Sequence, residues 1–255
     1  MKDPIKIVSF VERIDLLPAI DEMIMQHWPK FMMQASVDDS YWERLYQPPF
    51  AEYQFVAITG EGDDERVVGL INSVALPWDD GLQDLPDHGW DEMFTLAMDS
   101  DQNNLPCNLI SALSVTVITE YRGYKIPQLL ISHLKSYAKN KKYLGIVVPV
   151  RPTMKHLYPI QYFRDYITWK NERGEPFDPW IRTHWRLGAK FVKIAPASMT
   201  ITGTIDEWES WTGLKFPQSG KYAITSGLVP LKIDVAKNRG DYIEPNLWMF
   251  HAVTA

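Results

Sequence analysis

The 255-residue sequence contains a single cysteine, Cys107, and this scarcity narrows what the protein can be. One thiol cannot form an internal disulfide, and it cannot supply a metal cluster built from cysteine alone. The sequence also lacks any run of the roughly 18 apolar residues that a membrane-spanning helix needs. Charged residues interrupt its first 18 positions, where a signal peptide requires an unbroken apolar centre. We therefore expect neither membrane insertion nor secretion, and we expect a cytoplasmic protein.

Several common catalytic signatures are missing as well. There is no Gly-x-Ser-x-Gly elbow, no phosphate loop of the Gly-x4-Gly-Lys-Ser/Thr type and no His-Glu-x-x-His pair. The six histidines are scattered, and none lies close in sequence to Cys107. Hydrolase and nucleotidase chemistry are therefore disfavoured, and we expect no metal site.

The composition is that of a globular domain with a packed core. Hydrophobic residues make up 45% of the chain and charged residues 23%, which is enough apolar surface to offset the conformational entropy lost on folding. No internal repeat, low-complexity tract or linker interrupts the sequence. We expect a single domain over residues 1–255, with insertions at about 77–104 and 151–177.

Charge is divided unevenly along the chain. The segment Ala35 to Asp101 has two Lys or Arg residues against 16 Asp or Glu, whereas Tyr121 to Thr200 has 15 against four. The basic residues are spread out, and the overall isoelectric point near 5.5 does not suit a dedicated nucleic-acid binder. Two solvated faces of opposite sign are one interpretation. The other is that the second segment binds a small phosphorylated ligand.

The middle of the chain predicts a βαβ unit. Leu109 begins an apolar, β-branched run typical of a buried strand, and Gly145 to Val150 forms a second. Between them, residues 128–142 have apolar side chains on one helical face and lysines at the C-terminal end. The connecting loop then lies at a helix N-terminus, where free backbone N–H groups and the helix dipole attract phosphate.

The flanking segments predict further elements in a regular order. Helices are expected at Leu16 to Met33, with Pro29 bending or ending it, and at Asp39 to Tyr46, capped by Ser36 or Asp38. A hairpin of Tyr53 to Thr59 and Arg66 to Leu76 follows. We interpret Pro77 to Asn104 as an irregular surface excursion with one short helix near Trp90 to Met98. Later elements are helices at 178–187 and 206–214 and strands at 191–194, 222–233 and 243–250. Thr204 is expected to cap the second of these helices, with Glu207 as its capping-box partner.

The loop of the βαβ unit resembles the acyl-CoA pyrophosphate loop of the GNAT acetyltransferase superfamily. That loop follows the pattern Gln/Arg-x-x-Gly-x-Gly/Ala after a strand, often as Tyr-Arg-Gly-x-Gly-Ile-Gly. Here the sequence is Tyr121-Arg122-Gly123-Tyr124-Lys125-Ile126-Pro127, followed by Gln128-Leu129-Leu130. The tyrosine, arginine, first glycine and isoleucine match, and Lys125 and Pro127 replace small residues. Lys125 is either a compensating phosphate contact or a solvent-exposed side chain.

This resemblance implies where acetyl-CoA or another acyl-CoA binds. The pyrophosphate is expected at the loop, which comprises Arg122, Gly123, Tyr124, Lys125, Ile126, Pro127 and Gln128. The pantetheine arm is expected along Leu113 to Val117, so that Ser114, Val115, Thr116 and Val117 also contact the co-substrate. Backbone N–H groups at Ser114 to Thr116 would polarise the thioester carbonyl.

A second resemblance lies further along the chain. The family has a helix ending in a Phe-Tyr-x-x-Leu-Gly-Phe type of sequence, and here the helix ends in His184-Trp185-Arg186-Leu187-Gly188. His184 takes the position of a catalytic tyrosine, which implies a general acid for the departing CoA thiolate; a packed core histidine is the alternative. Tyr158 and His156, in the insertion, are the other candidate acid–base groups. Solvent is the remaining proton source.

Other side chains have two interpretations each. Trp42, Trp78 and Trp248 either line an acceptor pocket or belong to the core. Asp38 and Asp39 either attract a cationic amine or cap a helix. Cys107 has no neighbouring base in the sequence and is expected to be a small packed side chain.

Together these features predict an α/β fold with a central mixed, mostly antiparallel sheet, one parallel βαβ unit and helices on both faces. The predicted function is acyl-CoA-dependent transfer, with N-acetyl transfer favoured, to a small-molecule acceptor by direct attack. The alternative is an inactive module that binds or senses CoA. Neither nucleic acid nor a membrane is an expected partner, and a homodimer is left open.

Overall fold

The computed structural model describes residues 4–34 and 39–253. Within them the chain forms one nine-stranded sheet. Its strands are β1 Lys6–Ser9, β2 Phe55–Thr59, β3 Arg66–Leu76, β4 Leu109–Val117, β5 Gly145–Val150, β6 Lys190–Gly203, β7 Gly220–Tyr222, β8 Leu231–Asp234 and β9 Arg239–Ala252. The helices are α1 Leu17–His27, α2 Asp39–Arg44, α3 Gly89–Gln102, α4 Ile126–Asn140, α5 Phe163–Tyr166, α6 Pro179–Arg186 and α7 Ile205–Thr212.

The sheet has the order β1-β2-β3-β4-β5-β9-β8-β7, and β6 also pairs with β9. Only the β4–β5 pair is parallel, with Ile110 opposite Ile146 and Ser111 opposite Val147. The predicted βαβ unit and the mostly antiparallel sheet are therefore confirmed. All helices in the described residues are too short or too polar to cross a membrane.

Helices cover both faces of the sheet, as predicted. Alternate residues of β9 point to opposite faces: Tyr242 and Trp248 join one buried cluster with α3 and α7, while Leu247 and Met249 join the other with α4 and α6. Ile20 and Met23 of α1 close a third cluster over β2 and β3.

The helix expected near Trp90 to Met98 is confirmed, whereas the expectation that the segment 77–104 forms a surface excursion is wrong. Most of its second half forms α3, which buries Trp90, Met93, Phe94, Ala97 and Met98. These residues follow the three-and-four spacing of a helix that packs one face. The acidic residues between them obscured in the sequence how far this helix packs into the core.

Two other boundaries also differ from the predicted ones. The strand expected at 222–233 is a pair of short strands, β7 and β8, joined by the segment 223–230 and paired antiparallel. The first helix ends at His27, and Pro29 precedes a separate 3-10 turn, Lys30–Gln34. The proposed caps Ser36 and Asp38 lie outside the described residues.

The long insertion 151–177 packs as an aromatic cluster. The ring of Tyr158 lies 5.1 Å from Trp169 and 6.0 Å from Phe177. Asp178 joins this cluster to α6, because its carboxylate caps the helix and accepts hydrogen bonds from the backbone of Thr153 and Met154. The insertion is thus attached to the end of β5, which positions the chain that follows that strand.

Candidate active site

The loop between β4 and α4 presents unpaired backbone donors. Gly123 and Lys125 both have left-handed backbone angles, with φ of 90° and 59°, and this conformation turns the chain sharply into the helix. In the part of the chain that the structure describes, the N–H groups of Gly123, Lys125, Ile126 and Gln128 have no hydrogen-bond acceptor. Together with the positive end of the α4 dipole, they form a favourable site for an anion.

The side chains of this loop divide into two groups. Arg122, Tyr124 and Lys125 are exposed and are able to contact a bound phosphate. Ile126 is fully buried against β3, where a Cβ at Gly69 would lie 2.7 Å from its Cγ2, so only its backbone can face a ligand. Pro127 occupies the first turn of α4, a position that tolerates the missing N–H. Half-buried Gln128 has a buried Oε1 without a partner among the described residues.

The strands β4 and β5 separate beyond their first residues. β4 pairs with β3 from Leu109 to Val117, but its parallel ladder with β5 stops at Ser111. The β3 register changes between Asn72 and Ser73, so that Leu113 is the extra residue of a β-bulge. The separation leaves a fork, and the backbone of β4 from Leu113 onward has no strand pairing on its β5 side.

A cavity of about 580 Å³ opens at this fork. Ser114 of β4 and Pro149 of β5 border it on the two sides of the fork. Its other walls are mainly apolar and come from α1, the 3-10 turn after α1, α3 and β6; they include Leu17, Ile24, Met25, Met32, Met33 and Met199. A cavity of this size accommodates a small molecule together with an acyl group.

Aromatic side chains form a large part of the cavity wall. Trp28, Trp42, Tyr46 and Trp90 line it. The rings of Trp42 and Trp90 lie 5.6 Å apart and are tilted by 32°. The indole N–H of Trp28 donates to the Thr116 hydroxyl on β4 at 2.9 Å, which fixes the Trp28 ring beside the fork.

The polar groups of the cavity are few and mostly fixed by hydrogen bonds. The Tyr46 hydroxyl donates to Oδ1 of Asn72 at 3.1 Å, and Asn72 pairs with Ser114 across β3 and β4. Burial raises the pKa of Tyr46 well above its usual range, so its hydroxyl stays protonated and remains a donor. At the other side of the cavity, Nε of Arg151 donates to the buried Glu244 at 2.9 Å.

Comparison with known proteins gives one strong match by sequence. The chain is 34% identical, over 249 residues, to the arginine N-acetyltransferase avaD of Aspergillus versicolor, and the match covers 89% of this chain and 85% of that protein. No family model matches the chain.

The chain belongs to the GNAT superfamily of acetyltransferases. It is an acyl-CoA-dependent acyltransferase with acyl-CoA as co-substrate.

Solved structures show the same fold for this GNAT chain. The loading GNATL domain of CurA from Lyngbya majuscula is 17% identical and superposes with a TM-score of 0.64 over 98% of each chain. The GphF GNAT-like decarboxylase in complex with isobutyryl-CoA is 14% identical, with a TM-score of 0.59 over 98% of this chain and 100% of that one.

The structure places the sequence-derived acid–base candidates of this GNAT enzyme away from the cavity. His184 is 1% exposed, and its Nδ1 lies 2.9 Å from Nε2 of His251, between α6 and β9. Burial, and then the neighbouring imidazole, hold the His184 pKa well below its ordinary value. Neither His184 nor Tyr158 nor His156 lines the cavity. This geometry is that of a packed histidine and gives no support to the general-acid interpretation.

Most of the remaining candidates from the sequence lie outside the cavity. Of the three tryptophans considered, Trp42 lines the cavity, whereas Trp78 and Trp248 do not. Cys107 lies near the start of β4 with its thiol directed at the Leu105 carbonyl. Asp39 begins α2, and its side chain lies outside the described part. Among the described residues, no group of three or more His, Cys, Asp or Glu side chains is arranged to hold a metal ion.

Sequence reasoning missed most of the polar cavity residues, above all Tyr46, Asn72, Arg151 and Asn246. One signal was present. Glu244 and Asn246 occupy alternate positions of strand β9, on the same buried face as Trp248. Polar residues on the buried face of a strand need partners, and here they point to the polar end of the cavity.

Proposed function

We propose that this GNAT enzyme transfers an acetyl group from acetyl-CoA to a nitrogen atom of arginine or a similar small cation. The observation that carries the proposal is the cavity at the β4–β5 fork, where tryptophan rings and carboxylates occur together. Trp28, Trp42 and Trp90 offer aromatic faces, which attract guanidinium and ammonium groups. Asp21 and Glu43 line the cavity and are solvent-exposed, at its mouth. The name of the relative avaD supports the same acceptor class.

In this proposal acetyl-CoA lies across the fork. The pyrophosphate binds the N–H groups of Gly123, Lys125, Ile126 and Gln128, with the side chains of Arg122 and Lys125 supplying positive charge. The pantetheine arm runs along Ser114, Val115, Thr116 and Val117, replacing the missing β5 pairing in the manner of an added strand. The thioester then reaches the β-bulge, where backbone N–H groups of β4 polarise its carbonyl.

Transfer occurs by direct attack of the acceptor nitrogen on the thioester carbon. A covalent intermediate on Cys107 is disfavoured, because this thiol does not line the cavity and burial raises its pKa. Positioning of the two substrates and stabilisation of the oxyanion supply most of the acceleration. The attacking nitrogen loses a proton to solvent. The departing CoA sulfur gains one from an acid on the protein, which solvent then reprotonates.

We assign the proton donor for the CoA sulfur to Tyr46 rather than to His184. Its hydroxyl is hydrogen bonded to Asn72, the residue that pairs with Ser114, so it lies beside β4 at the bulge. The Tyr46 ring packs edge-on against Phe10, 5.0 Å away, which holds the hydroxyl in place.

We also propose that the acceptor is a free small molecule acetylated in the cytoplasm. The cavity volume suits a small acceptor, and a chain with one cysteine has no internal disulfide to require an oxidising compartment. A homodimer is the oligomeric state to test first, by sedimentation equilibrium.

The proposal is tested by measuring CoA release with arginine as acceptor and, separately, acetyl-CoA binding to Arg122→Ala. Loss of this charge-assisted contact should weaken binding by about 1.5–3 kcal/mol, roughly ten- to a hundredfold. Arg164→Ala is the matched control, since Arg164 is exposed on the insertion, and it should bind acetyl-CoA normally. An unchanged dissociation constant in Arg122→Ala would move the pyrophosphate site elsewhere. Binding without CoA release across a panel of amines would contradict the proposed acceptor class.

A further inference from the structure

The inner end of the cavity has a guanidinium group with spare hydrogen-bonding capacity. Arg151 lines the cavity at the end of β5. Its Nε donates to Glu244 at 2.9 Å and its Nη2 donates to the Ser226 carbonyl at 2.7 Å. The third nitrogen, Nη1, forms no hydrogen bond of normal geometry with the described residues. The Arg151 side chain is 22% exposed, so the N–H groups of Nη1 are accessible to an acceptor on a ligand in the cavity.

The partners of Arg151 hold it in one orientation. Glu244 is fully buried and also accepts hydrogen bonds from the Tyr242 hydroxyl at 2.5 Å and from Asn246 at 3.2 Å. The Tyr242 hydroxyl accepts the N–H of Leu228 at 2.8 Å. Burial would lower the pKa of Arg151, but the charge of Glu244 and the hydrogen bonds of this network raise it. The guanidinium is therefore a fixed, permanently charged donor.

A second cation, Lys155, interacts with Glu244 but does not line the cavity. Lys155 is fully buried and donates to the carbonyls of Tyr158 and Leu228 at 2.7 and 2.8 Å. Burial lowers the pKa of Lys155 to about 8, and the charge of Glu244 opposes this shift. Two cations thus share one carboxylate. Asp91, whose carboxyl also interacts with Glu244, does not line the cavity.

The mouth of the same cavity has side chains of the opposite charge. Asp21 and Glu43 are exposed there, so carboxylates line the mouth of the cavity and the guanidinium of Arg151 lines its inner end. This polarity matches a ligand with a cation at one end and an anion at the other. A carboxylate is the anion that suits Arg151, because it accepts hydrogen bonds in the plane of the guanidinium.

We propose that Nη1 of Arg151 forms a carboxylate subsite, which binds the carboxylate of the acceptor while Asp21 and Glu43 face its cationic end. The inference rests on the proposed function and deepens it: the acceptor is a free amino acid such as arginine, not a decarboxylated or esterified derivative. A carboxylate on the acyl group of an acyl-CoA has the same chemistry, so the experiment has to separate the two sources.

The primary test compares arginine with agmatine, which has the guanidinium but no carboxylate, and with arginine methyl ester. With acetyl-CoA, kcat/KM for arginine should exceed that for the other two by about ten- to a hundredfold. Equal values for the three would overturn the subsite and leave the acceptor class intact. Failure of all three as acceptors would overturn the proposed function, and the subsite with it.

Two variants assign the effect to the residue. Arg151→Lys keeps the charge opposite Glu244 but removes the spare N–H groups, and it should bring arginine and agmatine to within about threefold of each other. Glu43→Gln is the matched control, because it weakens binding of the cationic end, which arginine and agmatine share. kcat/KM should fall for both acceptors, and the ratio of the two values should stay the same. A persistent preference for arginine in Arg151→Lys would contradict the assignment.

The second arm changes the acyl donor. Succinyl-CoA has a carboxylate on its acyl group, and with agmatine as acceptor it should be a poorer donor than acetyl-CoA. If succinyl-CoA with agmatine were instead the better pair, and Arg151→Lys abolished that advantage, the carboxylate would belong to the acyl group and the acceptor assignment would be wrong.

Discussion

On the face of the sheet that α4 and α6 cover, His184 and His251 lie ring against ring. His184 Nε2 and His251 Nδ1 are buried and have no hydrogen-bond partner among the described residues. On the opposite face, Tyr46 and Arg151 border an open cavity. Both sites contain polar side chains of the kinds that enzymes use in catalysis and binding. They differ in access, because the bulge at Leu113 and the short β4–β5 ladder open a cavity only on the second face. We call that face the open face and the face covered by α4 and α6 the closed face. Access to the fork, rather than the type of side chain, decides which residues can act on a substrate.

The largest expected effect concerns the charged network of the open face. Arg151→Met leaves the buried Glu244 without its ion-pair partner and should lower the free energy of unfolding by about 3–5 kcal/mol, measured by urea denaturation. Arg151→Met combined with Glu244→Gln should recover part of that loss. On the closed face Lys135 donates only to the Leu187 carbonyl, and Lys135→Met should cost less than about 1 kcal/mol. Equal losses for the two single variants would contradict the comparison.

The two faces should also respond to pH with opposite sign. Burial raises the pKa of Asp91, on the open face, from 3.8 to about 7, so its contribution to stability falls as pH rises through that interval. Burial, and then the charge of Lys135, lower the pKa of His251 from 6.5 to about 4, so stability is lost as pH falls from 6.5 towards 4.

The measurement is the free energy of unfolding between pH 4.5 and 7. Relative to the wild type, Asp91→Asn should gain stability as pH rises and His251→Gln should lose it, each by about 3 kcal/mol. Asparagine preserves an acceptor for the Thr200 N–H, so the Asp91 variant mainly removes the titration. Differences that are flat with pH, or that share one sign, would show that burial does not set these two pKa values.

The smallest structural change tests the proton donor. Tyr46→Phe keeps the ring packing and removes one hydroxyl, and kcat for CoA release should fall by about a hundredfold with the dissociation constant for acetyl-CoA unchanged. Two closed-face variants are the controls: Tyr53→Phe, which removes a hydroxyl bonded to Tyr143, and His184→Gln. Both should keep the wild-type kcat. A folded His184→Gln with strongly reduced kcat would restore the general-acid interpretation of that histidine.

The βαβ unit could be predicted from the sequence, because an apolar strand, a loop with glycine and a helix ending in lysines are each recognisable from neighbouring residues alone. The sequence was also sufficient for the Thr204 and Glu207 capping box of α7. It was not sufficient for the cavity, whose walls come from α1, α3, β4, β6 and β9 and meet only through long-range packing. The register with a family tyrosine suggested His184, but the register of a helix does not show which face of the sheet that helix covers.

The most direct test of the account is a crystal structure of the enzyme with a non-transferable acetyl-CoA analogue. The account predicts the pyrophosphate on the N–H groups of Gly123 and Lys125, the pantetheine arm along β4, and the acyl carbonyl within hydrogen-bonding distance of the β4 backbone at Ser114 to Thr116, facing Tyr46. An acyl group located on the α6 side, beside His184, or bound outside the β4–β5 fork, would contradict it.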